Sequence, residues 1–472
     1  MAGKRHTARQ ALAAAFLPAA LLCWAPEAAA QRSVAGPIYQ QNLDSMIDGA
    51  EGWLARIEQE GWFLRGQATG IVQSKPAMIS PYSGEVSLTG KPSSRNTESI
   101  DVVIGRRLWT NAEFVVVPSV TRGYGISNSQ GVASYPNGEA FRLGTTEPVA
   151  WLPRAFIRQT IPLSGETRGT DDDPMRFTGP LPTERITISV GKFSVWDFFD
   201  DNRYAHDGRT QFMQWGLIGT GAFDFAADAR GFTEGGVVEW EDGKHALHAG
   251  VFRVAKDANT LALDTKYLLG LQYLLQGDRS YTIAGQPGTV RLLGGVSHTR
   301  STLWNDLTQG VQAGLPREVY FDNYQRAYRS KIMAGLNMEQ QINQSFGVFA
   351  RLGWNNGRNQ NWMFTEMDWS VSAGVSVNGH GWQRPGDTVG LGFNVGGITQ
   401  AHQRFLEAGG LGFITGDGRL NYGYESVVET YYDMRLAPGL HAALGGGFVK
   451  NPAYNRDRGP TPIVTARIHA AF

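Results

Sequence analysis

Apolar and polar residues alternate along most of the chain from about residue 62 onward. In one run, Trp369, Val371 and Val375 share a face, while serine, glycine and asparagine share the other. Clusters of Gly, Pro, Asn and Asp interrupt such runs, so the pattern predicts short antiparallel strands joined by turns. The polar face carries Ser, Gly, Asn and single Arg residues instead of the Lys and Glu that face bulk water. This composition favours strands that surround a crowded lumen.

The connections between these runs are of two kinds. Asp242-Gly243 joins two runs as a favoured tight turn, whereas residues 162–182 and 300–321 form long connections. An outer-membrane barrel has tight turns at its periplasmic end and longer loops at its extracellular end. We therefore expect both long connections to lie on the extracellular side.

The last run of the chain is the most informative. Ile468 faces away from Arg467 and His469, and the chain ends in Phe472. A terminal aromatic residue on such a strand resembles the signal that the outer-membrane barrel-assembly machinery recognises. The chain leaves room for about sixteen strands of roughly ten residues, and a barrel of that size encloses water. The sequence therefore predicts an all-β fold, with a transmembrane antiparallel β-barrel over residues 62–472 in the cell outer membrane.

The first thirty residues have the features of a secretory signal peptide. Basic residues precede an apolar run over residues 11–25, and three alanines end at Ala30, after which we expect cleavage. A buried helix of the mature protein is the alternative for this run. The only cysteine, Cys23, lies within it, so the mature chain is expected to have no disulfide and no thiolate metal site.

Residues 31–61 contain one helical pattern and form the predicted N-terminal periplasmic segment. Apolar residues recur there at spacings of three and four, and Gly61 is placed to end the helix. The apolar positions are Met46, Ile47, Ala50, Trp53, Leu54 and Ile57. We predict a short helix that braces the periplasmic mouth of the barrel. A loosely ordered lead-in to the first strand is the alternative.

Composition and charge exclude several other classes of protein. The 472 residues include 43 Lys+Arg and 43 Asp+Glu, and this balance gives no general attraction to nucleic acid. The chain has no Gly-x-Ser-x-Gly or Gly-x-Gly-x-x-Gly motif, and His245 and His248 point to opposite faces of one predicted strand. We therefore predict that the protein is not an enzyme and uses no cofactor or metal, although membrane-embedded lipases can lack a strong motif.

Five segments of the chain carry distinctive motifs of glycine, aromatic and charged residues. They are residues 131–144, residues 191–193 with the Trp-Asp-Phe-Phe-Asp-Asp-Asn run at 196–202, residues 382–393, residues 416–418 and residues 455–460. In this order they resemble the carbohydrate-selective porin family of Gram-negative outer membranes. The resemblance implies a sixteen-stranded barrel that passes monosaccharides by diffusion through a constriction lined by charged and aromatic groups. The segment before the barrel departs from the family, because it lacks the Gly-Asp-Trp-Gly-Gly lead expected there.

Several charged residues of the predicted strands are candidates for the sugar path. Sugars present hydroxyl groups in the ring plane and C–H groups on the ring faces, so a selective path needs charged groups beside aromatic rings. On strict alternation four such residues face the lumen: Arg65, Arg107, Glu425 and Glu429. Arg106 then faces lipid, which is costly except near an interface, and its position close to Trp109 places it there.

Residues 196–207 combine many aromatic and charged side chains. We expect this segment to fold into the barrel and narrow it. Its candidate sugar-contacting residues are Trp196, Asp197, Phe199, Asp200 and Arg203. In the alternative, the aromatic rings pack on the inner wall and the charges pair among themselves. If the segment lines the path, replacement of Arg203 and Asp200 by Ala is expected to alter solute selectivity.

The sequence therefore predicts an outer-membrane porin through which monosaccharides and similar small solutes diffuse passively in a water-filled, carbohydrate-selective channel. A general or anion-preferring porin is one alternative. An outer-membrane enzyme or a barrel that anchors surface polysaccharide is another. The expected partners are small sugars, outer-membrane lipid and the barrel-assembly machinery, but no nucleic acid, and assembly as a homotrimer is left open.

Overall fold

Sixteen antiparallel strands close into a barrel in the computed structural model, which describes residues 50–140, 144–169 and 173–471. The first and last strands pair with each other, with Gln67 opposite Ala471, so the sheet has no free edge. The barrel strands are β1 Trp62–Lys75, β2 Ser93–Trp109, β3 Ala112–Gly123, β4 Thr145–Pro162, β7 Arg185–Phe193, β8 Thr233–Glu241, β9 His245–Arg253, β10 Leu271–Ile283, β11 Gln286–Ser301, β12 Ala327–Gln341, β13 Phe346–Asn355, β14 Trp369–Gly379, β15 Arg384–Gly397, β16 Glu425–Ala437, β17 Leu440–Lys450 and β18 Thr461–Ala471. A separate small hairpin consists of β5 Thr167–Arg168 and β6 Leu181–Pro182.

Within the described residues, five short α-helices accompany the barrel. They are α1 Ala50–Gln59, α2 Trp215–Ile218, α3 Trp304–Gln312, α4 Arg317–Tyr320 and α5 Gln400–Glu407. Among the described residues, none of the helices is long and apolar enough to cross a membrane. The helix predicted before the barrel corresponds to α1, while Met46 and Ile47 of that pattern lie outside the described residues.

Side-chain burial follows the alternation of the sequence around the wall. On β11, Leu292 points outward with 58% of its surface exposed, while the neighbouring Arg291 points into the lumen and is 4% exposed. The same separation holds on β18, where Ile468 is exposed and Arg467 is buried. Apolar side chains exposed on the outside of a closed β-barrel are suited to contact with acyl chains.

The two ends of the barrel have connections of different length. Six connections at one end have two to four residues each, and those at the other end have ten or more. The prediction for residues 162–182 is wrong, because β4 and β7 meet at the end with the short connections. Residues 163–184, here called the turn-end insert, form the one long connection at that end of the described barrel. The length of a connection does not by itself show at which end of the barrel that connection lies.

Arg106 lies at the rim of the turn end. Its guanidinium carbon lies 4.8 Å from the centre of the Trp62 ring, and Nη1 donates a hydrogen bond of 2.7 Å to the carbonyl of Glu60. Trp109 on the same strand is exposed. The outward arginine therefore lies at an interface beside tryptophan, as its sequence position predicted, and its charge does not have to enter the hydrocarbon layer.

The barrel interior is occupied by loops from the other end. The longest connection, residues 194–232 between β7 and β8, folds inward and is here called the lumen loop. Its Phe198 and Phe199 pack against Phe193 and Phe252 of the wall, at ring-centre distances of 4.8 and 5.8 Å. This packing gives the barrel an apolar core that leaves only part of its interior open.

Candidate functional site

A cavity of about 790 Å³ lies in the barrel interior. Strands β1 to β4 form its wall, the lumen loop forms the opposite side, and α1 and the turn-end insert contribute at one end. Its lining includes charged side chains from α1, β1, β2, β4 and the lumen loop, together with the rings of Trp196 and Phe232. The loops and the wall together therefore create a polar passage with apolar surfaces.

Asp200 fixes the lumen loop to the wall from a position that is 0% exposed. Its carboxylate accepts hydrogen bonds from the Thr220 backbone N–H at 2.6 Å and from Asn337 Nδ2 at 2.7 Å. Arg351 Nε lies 3.3 Å from the same carboxylate, and the arginine also donates to the carbonyls of Ala205 and Leu217, each at 2.6 Å. One buried ion pair thus joins two parts of the lumen loop to β12 and β13.

Two glutamates of β16 hold loop backbone inside the barrel. Glu425 accepts hydrogen bonds from the backbone N–H groups of Ala133, Ser134 and Ala453, at 2.9, 2.7 and 2.8 Å. Glu429 accepts in the same way from Met213 and Gln214, at 2.8 and 3.0 Å. These N–H groups do not pair with a neighbouring strand. The carboxylates accept their hydrogen bonds, and burial of these donors without a partner would cost free energy.

A bidentate ion pair lies on the cavity surface. Arg154 of β4 donates through Nε and Nη2 to the two carboxylate oxygens of Asp197, both at 2.7 Å. Asp197 also accepts from the backbone N–H of Ser194 at 3.0 Å, which positions it at the start of the lumen loop. A bidentate pair of this kind fixes the orientation of both charged groups, so they present hydrogen-bonding atoms in defined directions on the cavity surface.

A second cluster of charges crosses the lumen. Arg209 of the lumen loop lies 2.8 Å from Glu139 of the connection between β3 and β4, and it also forms an ion pair with Asp101 of β2. Asp101 in addition accepts hydrogen bonds from Ser119 at 2.5 Å and Gln67 at 2.9 Å. The cluster joins three separate elements, and all three of its charged members line the cavity.

Aromatic rings flank these charges. The Trp196 ring contacts Phe225 and Phe364 at ring-centre distances of 5.9 and 5.0 Å, and part of it lines the cavity. Farther along, Phe232 packs edge-on against Trp151 at 5.1 Å, and the Arg154 guanidinium carbon lies 5.0 Å from the centre of the Phe232 ring. Apolar faces and charged groups therefore occur side by side.

The turn-end insert narrows the other side of the cavity. Asp173 forms an ion pair with Arg158 of β4 at 3.4 Å, and its carbonyl accepts from Arg65 Nη1 at 3.1 Å. Burial opposes ionisation of Asp173, but the nearby Arg158 and Arg176 hold the pKa of this carboxyl below its ordinary value. Thr178 donates through its backbone N–H to Glu58 of α1 at 2.6 Å, so the helix and the insert support each other.

The family model described as "Carbohydrate-selective porin, OprB family" matches residues 97–472. The chain belongs to this family. It is an outer-membrane channel for sugar diffusion, and its short connections therefore mark the periplasmic end while its long loops mark the extracellular end.

Solved structures support the same fold. The porin is similar to the high-pH structure of Pseudomonas putida OprB at 14% sequence identity and a TM-score of 0.68, over 90% of this chain and 97% of that chain. The low-pH structure of Pseudomonas putida OprB gives 12% identity and a TM-score of 0.50, over 92% and 100% of the two chains. No curated protein sequence matches the chain. At these identities the likeness establishes the barrel and says nothing about individual residues of the porin.

Only some of the predicted site residues reach the cavity of the porin. Arg65, Trp196 and Asp197 line it. Arg107 lies at the periplasmic mouth, where its guanidinium carbon is 4.5 Å from the centre of the Phe177 ring. The structure thus brings together two predicted residues of the lumen loop and one of β1, with a further arginine at the mouth.

The other predicted site residues serve to hold the interior together. Phe199, Asp200 and Glu425 are each at most 1% exposed, so the structure places them within the packed interior and not on the surface of the cavity. Glu429 is engaged with loop backbone. Arg203 donates to Gln341 at 3.1 Å beside β12 and does not line the cavity. Within residues 196–207, Phe199 packs on the inner wall as in the alternative interpretation, whereas Asp200 pairs with Arg351 of β13 and not with a charge of its own segment.

Sequence reasoning missed several charged residues of the cavity. Glu139, Arg154, Arg209 and Arg230 line it, yet none was singled out from the sequence. Arg209 lies two residues after the end of the aromatic and acidic segment 196–207, so a slightly longer window would have included it. Among residues 50–140, 144–169 and 173–471, no group of three or more His, Cys, Asp or Glu side chains is arranged to hold a metal ion.

Proposed function

We propose that the sugars that pass this porin are monosaccharides and similar small solutes, and that they contact the two arginine–carboxylate clusters and Trp196. The observation that carries the proposal is that Arg154–Asp197, Arg209–Asp101 and Trp196 line one cavity of about 790 Å³. Cavities of about 300–1,000 Å³ are of the size that holds small molecules.

The chemistry of this surface matches a sugar that must bind and then leave. The guanidinium and carboxylate groups can exchange hydrogen bonds with ring hydroxyls, while the indole offers an apolar surface to the C–H groups of the ring. The charged groups already have partners within the protein, so a sugar adds partial contacts to an existing network. Weak and distributed contacts allow release, which a diffusion channel requires.

Replacement of Trp196 by Ala tests the aromatic part of the proposal. We expect glucose to block single-channel current about fivefold less strongly, since aromatic contacts of this kind contribute about 0.5–1.5 kcal/mol. The measurement is the glucose dependence of current noise in planar bilayers. Trp109→Ala is the matched control, because Trp109 is exposed on the outer wall at the periplasmic end. Glucose should block this variant as strongly as it blocks the wild-type protein. Equal block in the Trp196 variant and the wild-type protein would contradict the proposal.

Sugar titration, a salt gradient and vesicle permeability together distinguish the alternative functions. A channel that conducts ions but shows no block by any of a panel of sugars would be a general porin. A preference for anions would appear as a reversal potential toward the chloride equilibrium value in a salt gradient. An outer-membrane enzyme or an anchoring barrel would leave vesicles sealed to sugars.

We further propose roles for the parts of the chain outside the cavity. Arg65 and Arg107 guide solutes at the periplasmic mouth.

We propose that residues 1–30 are a signal peptide cleaved after Ala30 and that residues 31–61 form a periplasmic segment. The assembly machinery recognises Phe472, which lies outside the described residues. Three copies associate in the membrane. Amino-terminal sequencing of the exported protein and its mass in native mass spectrometry test the cleavage and the trimer.

A further inference from the structure

One segment of the extracellular side folds outward over the lipid-facing wall. Residues 264–270 precede β10, and three outward-facing residues of neighbouring strands hold them. Tyr328 of β12 donates to Asp264 at 2.8 Å, and His298 Nδ1 of β11 lies 2.8 Å from the carbonyl of Leu269. Arg253 of β9 places its guanidinium carbon 4.5 Å from the centre of the Tyr267 ring. The segment therefore covers the outside of β9 to β12 at the extracellular rim.

The tip of this segment exposes a run of apolar side chains. Tyr267 and Leu269 are exposed, and Leu268 has 88% of its surface exposed, the highest value among the large apolar residues in the described part of the chain. Below them on the outer wall, Leu292 and Ile332 are also exposed. The apolar tip is therefore continuous with the surface that faces acyl chains.

Basic side chains adjoin the apolar tip at the extracellular rim of the barrel. Lys266 adjoins it in sequence, and Arg300 shares the outward face of β11 with His298. Both Lys266 and Arg300 are exposed, and within residues 50–140, 144–169 and 173–471 neither has a carboxylate partner within ion-pair distance. Arg253 is partly neutralised by an ion pair with Glu234, so the lysine and Arg300 carry the charge of this surface that is available to a ligand.

We propose that Lys266, Arg300 and His298, with Leu268 as an apolar anchor, form a binding site for lipopolysaccharide, the phosphorylated glycolipid of the outer leaflet. The anionic phosphates of its lipid A part complement the basic groups, and its acyl chains continue along the exposed wall below Leu268. Basic side chains near a membrane surface favour anionic lipid head groups additively. An apolar surface between copies of the chain would not need unpaired cations at its edge, so the charge distribution favours the lipid.

The test is the affinity of the full-length, detergent-solubilised porin for purified lipid A that carries both phosphates. The double variant Lys266→Gln/Arg300→Gln should bind it at least about tenfold more weakly, because each basic group near the head groups contributes separately. Leu268→Ser should weaken binding by a smaller factor. All three positions are exposed, so these variants are expected to fold. Dephosphorylated lipid A should bind the wild-type protein and the double variant equally weakly.

Arg122→Gln is the matched control for the basic residues. Arg122 also faces outward at the extracellular rim, but on β3, and it is paired with Glu98 at 2.6 Å. Lipid A binding should be unchanged in this variant. Equal binding of phosphorylated and dephosphorylated lipid A by the wild-type protein would overturn the proposal, as would an equal loss in the Arg122 variant. A double variant that bound lipid A normally but changed the number of subunits in native mass spectrometry would identify the patch as a contact between copies instead.

Discussion

Replacing Arg351 by Met is expected to free the lumen loop and to raise the single-channel conductance at least about twofold, while the barrel still assembles. Removal of one partner of a buried ion pair costs about 3–5 kcal/mol, because the other charge remains buried without compensation. In Arg351→Met that uncompensated charge is Asp200, and the carbonyls of Ala205 and Leu217 lose their donor as well. The cost falls on the packing of the lumen loop, since the strand ladder does not use this side chain.

Single-channel recording and gel mobility separate release of the loop from failure to fold. The variant barrel should still show the mobility shift on heating that folded barrels show, and glucose block should weaken together with the rise in conductance. Arg185→Met is the matched control, because Arg185 is also buried and ion-paired, with Glu241 at 2.7 Å, but lies at the periplasmic end. Unchanged conductance in the Arg351 variant would mean that other contacts suffice to hold the loop.

The architecture of the barrel could be predicted from the sequence because one face of each strand meets lipid and the other meets the lumen. That requirement acts locally along the chain, so alternation alone correctly places Ile468 outside and Arg467 inside. The start of the first strand at Trp62 follows from the end of the preceding helix at Gln59 and the left-handed conformation of Gly61, with φ of 85°. These features depend on neighbours in the chain.

The contacts of the lumen could not be predicted in the same way, because they join residues that are far apart in sequence. Glu425 was correctly placed on the lumen face, yet its partners are the backbone groups of Ala133 and Ser134, almost 300 positions away. Alternation gives the face of a side chain and not the distance of its partner. It therefore cannot separate a carboxylate that is enclosed by loop backbone from one, such as Asp101, that also borders the open cavity.

Replacing Arg209 by Ala is expected to make the channel prefer cations, with the permeability ratio of potassium over chloride rising at least about fivefold. The arginine is the partner of both Asp101 and Glu139, so its removal leaves two carboxylates on the cavity wall without a neighbouring positive charge from this residue. One unit charge at about 4 Å in water changes the energy of an ion by about 1 kcal/mol, or about fivefold. Because the change has opposite sign for potassium and chloride, fivefold is the least that their permeability ratio should rise. Block by glucose should weaken too, because the carboxylates of Asp101 and Glu139 lose the guanidinium group that holds their orientation.

The reversal potential in a potassium chloride gradient measures the change in ion preference, and two further variants define its cause. Arg209→Lys keeps the positive charge but loses the planar pair of donors, so the permeability ratio should stay near the wild-type value while glucose block weakens. Arg122→Ala removes an arginine from the outer rim and should alter neither property. If Arg209→Ala had the ion preference of the wild-type protein, the permeating ions would have to pass at a distance from Asp101 and Glu139. The sugar path would then also have to be placed elsewhere in the barrel, because the same cavity carries both.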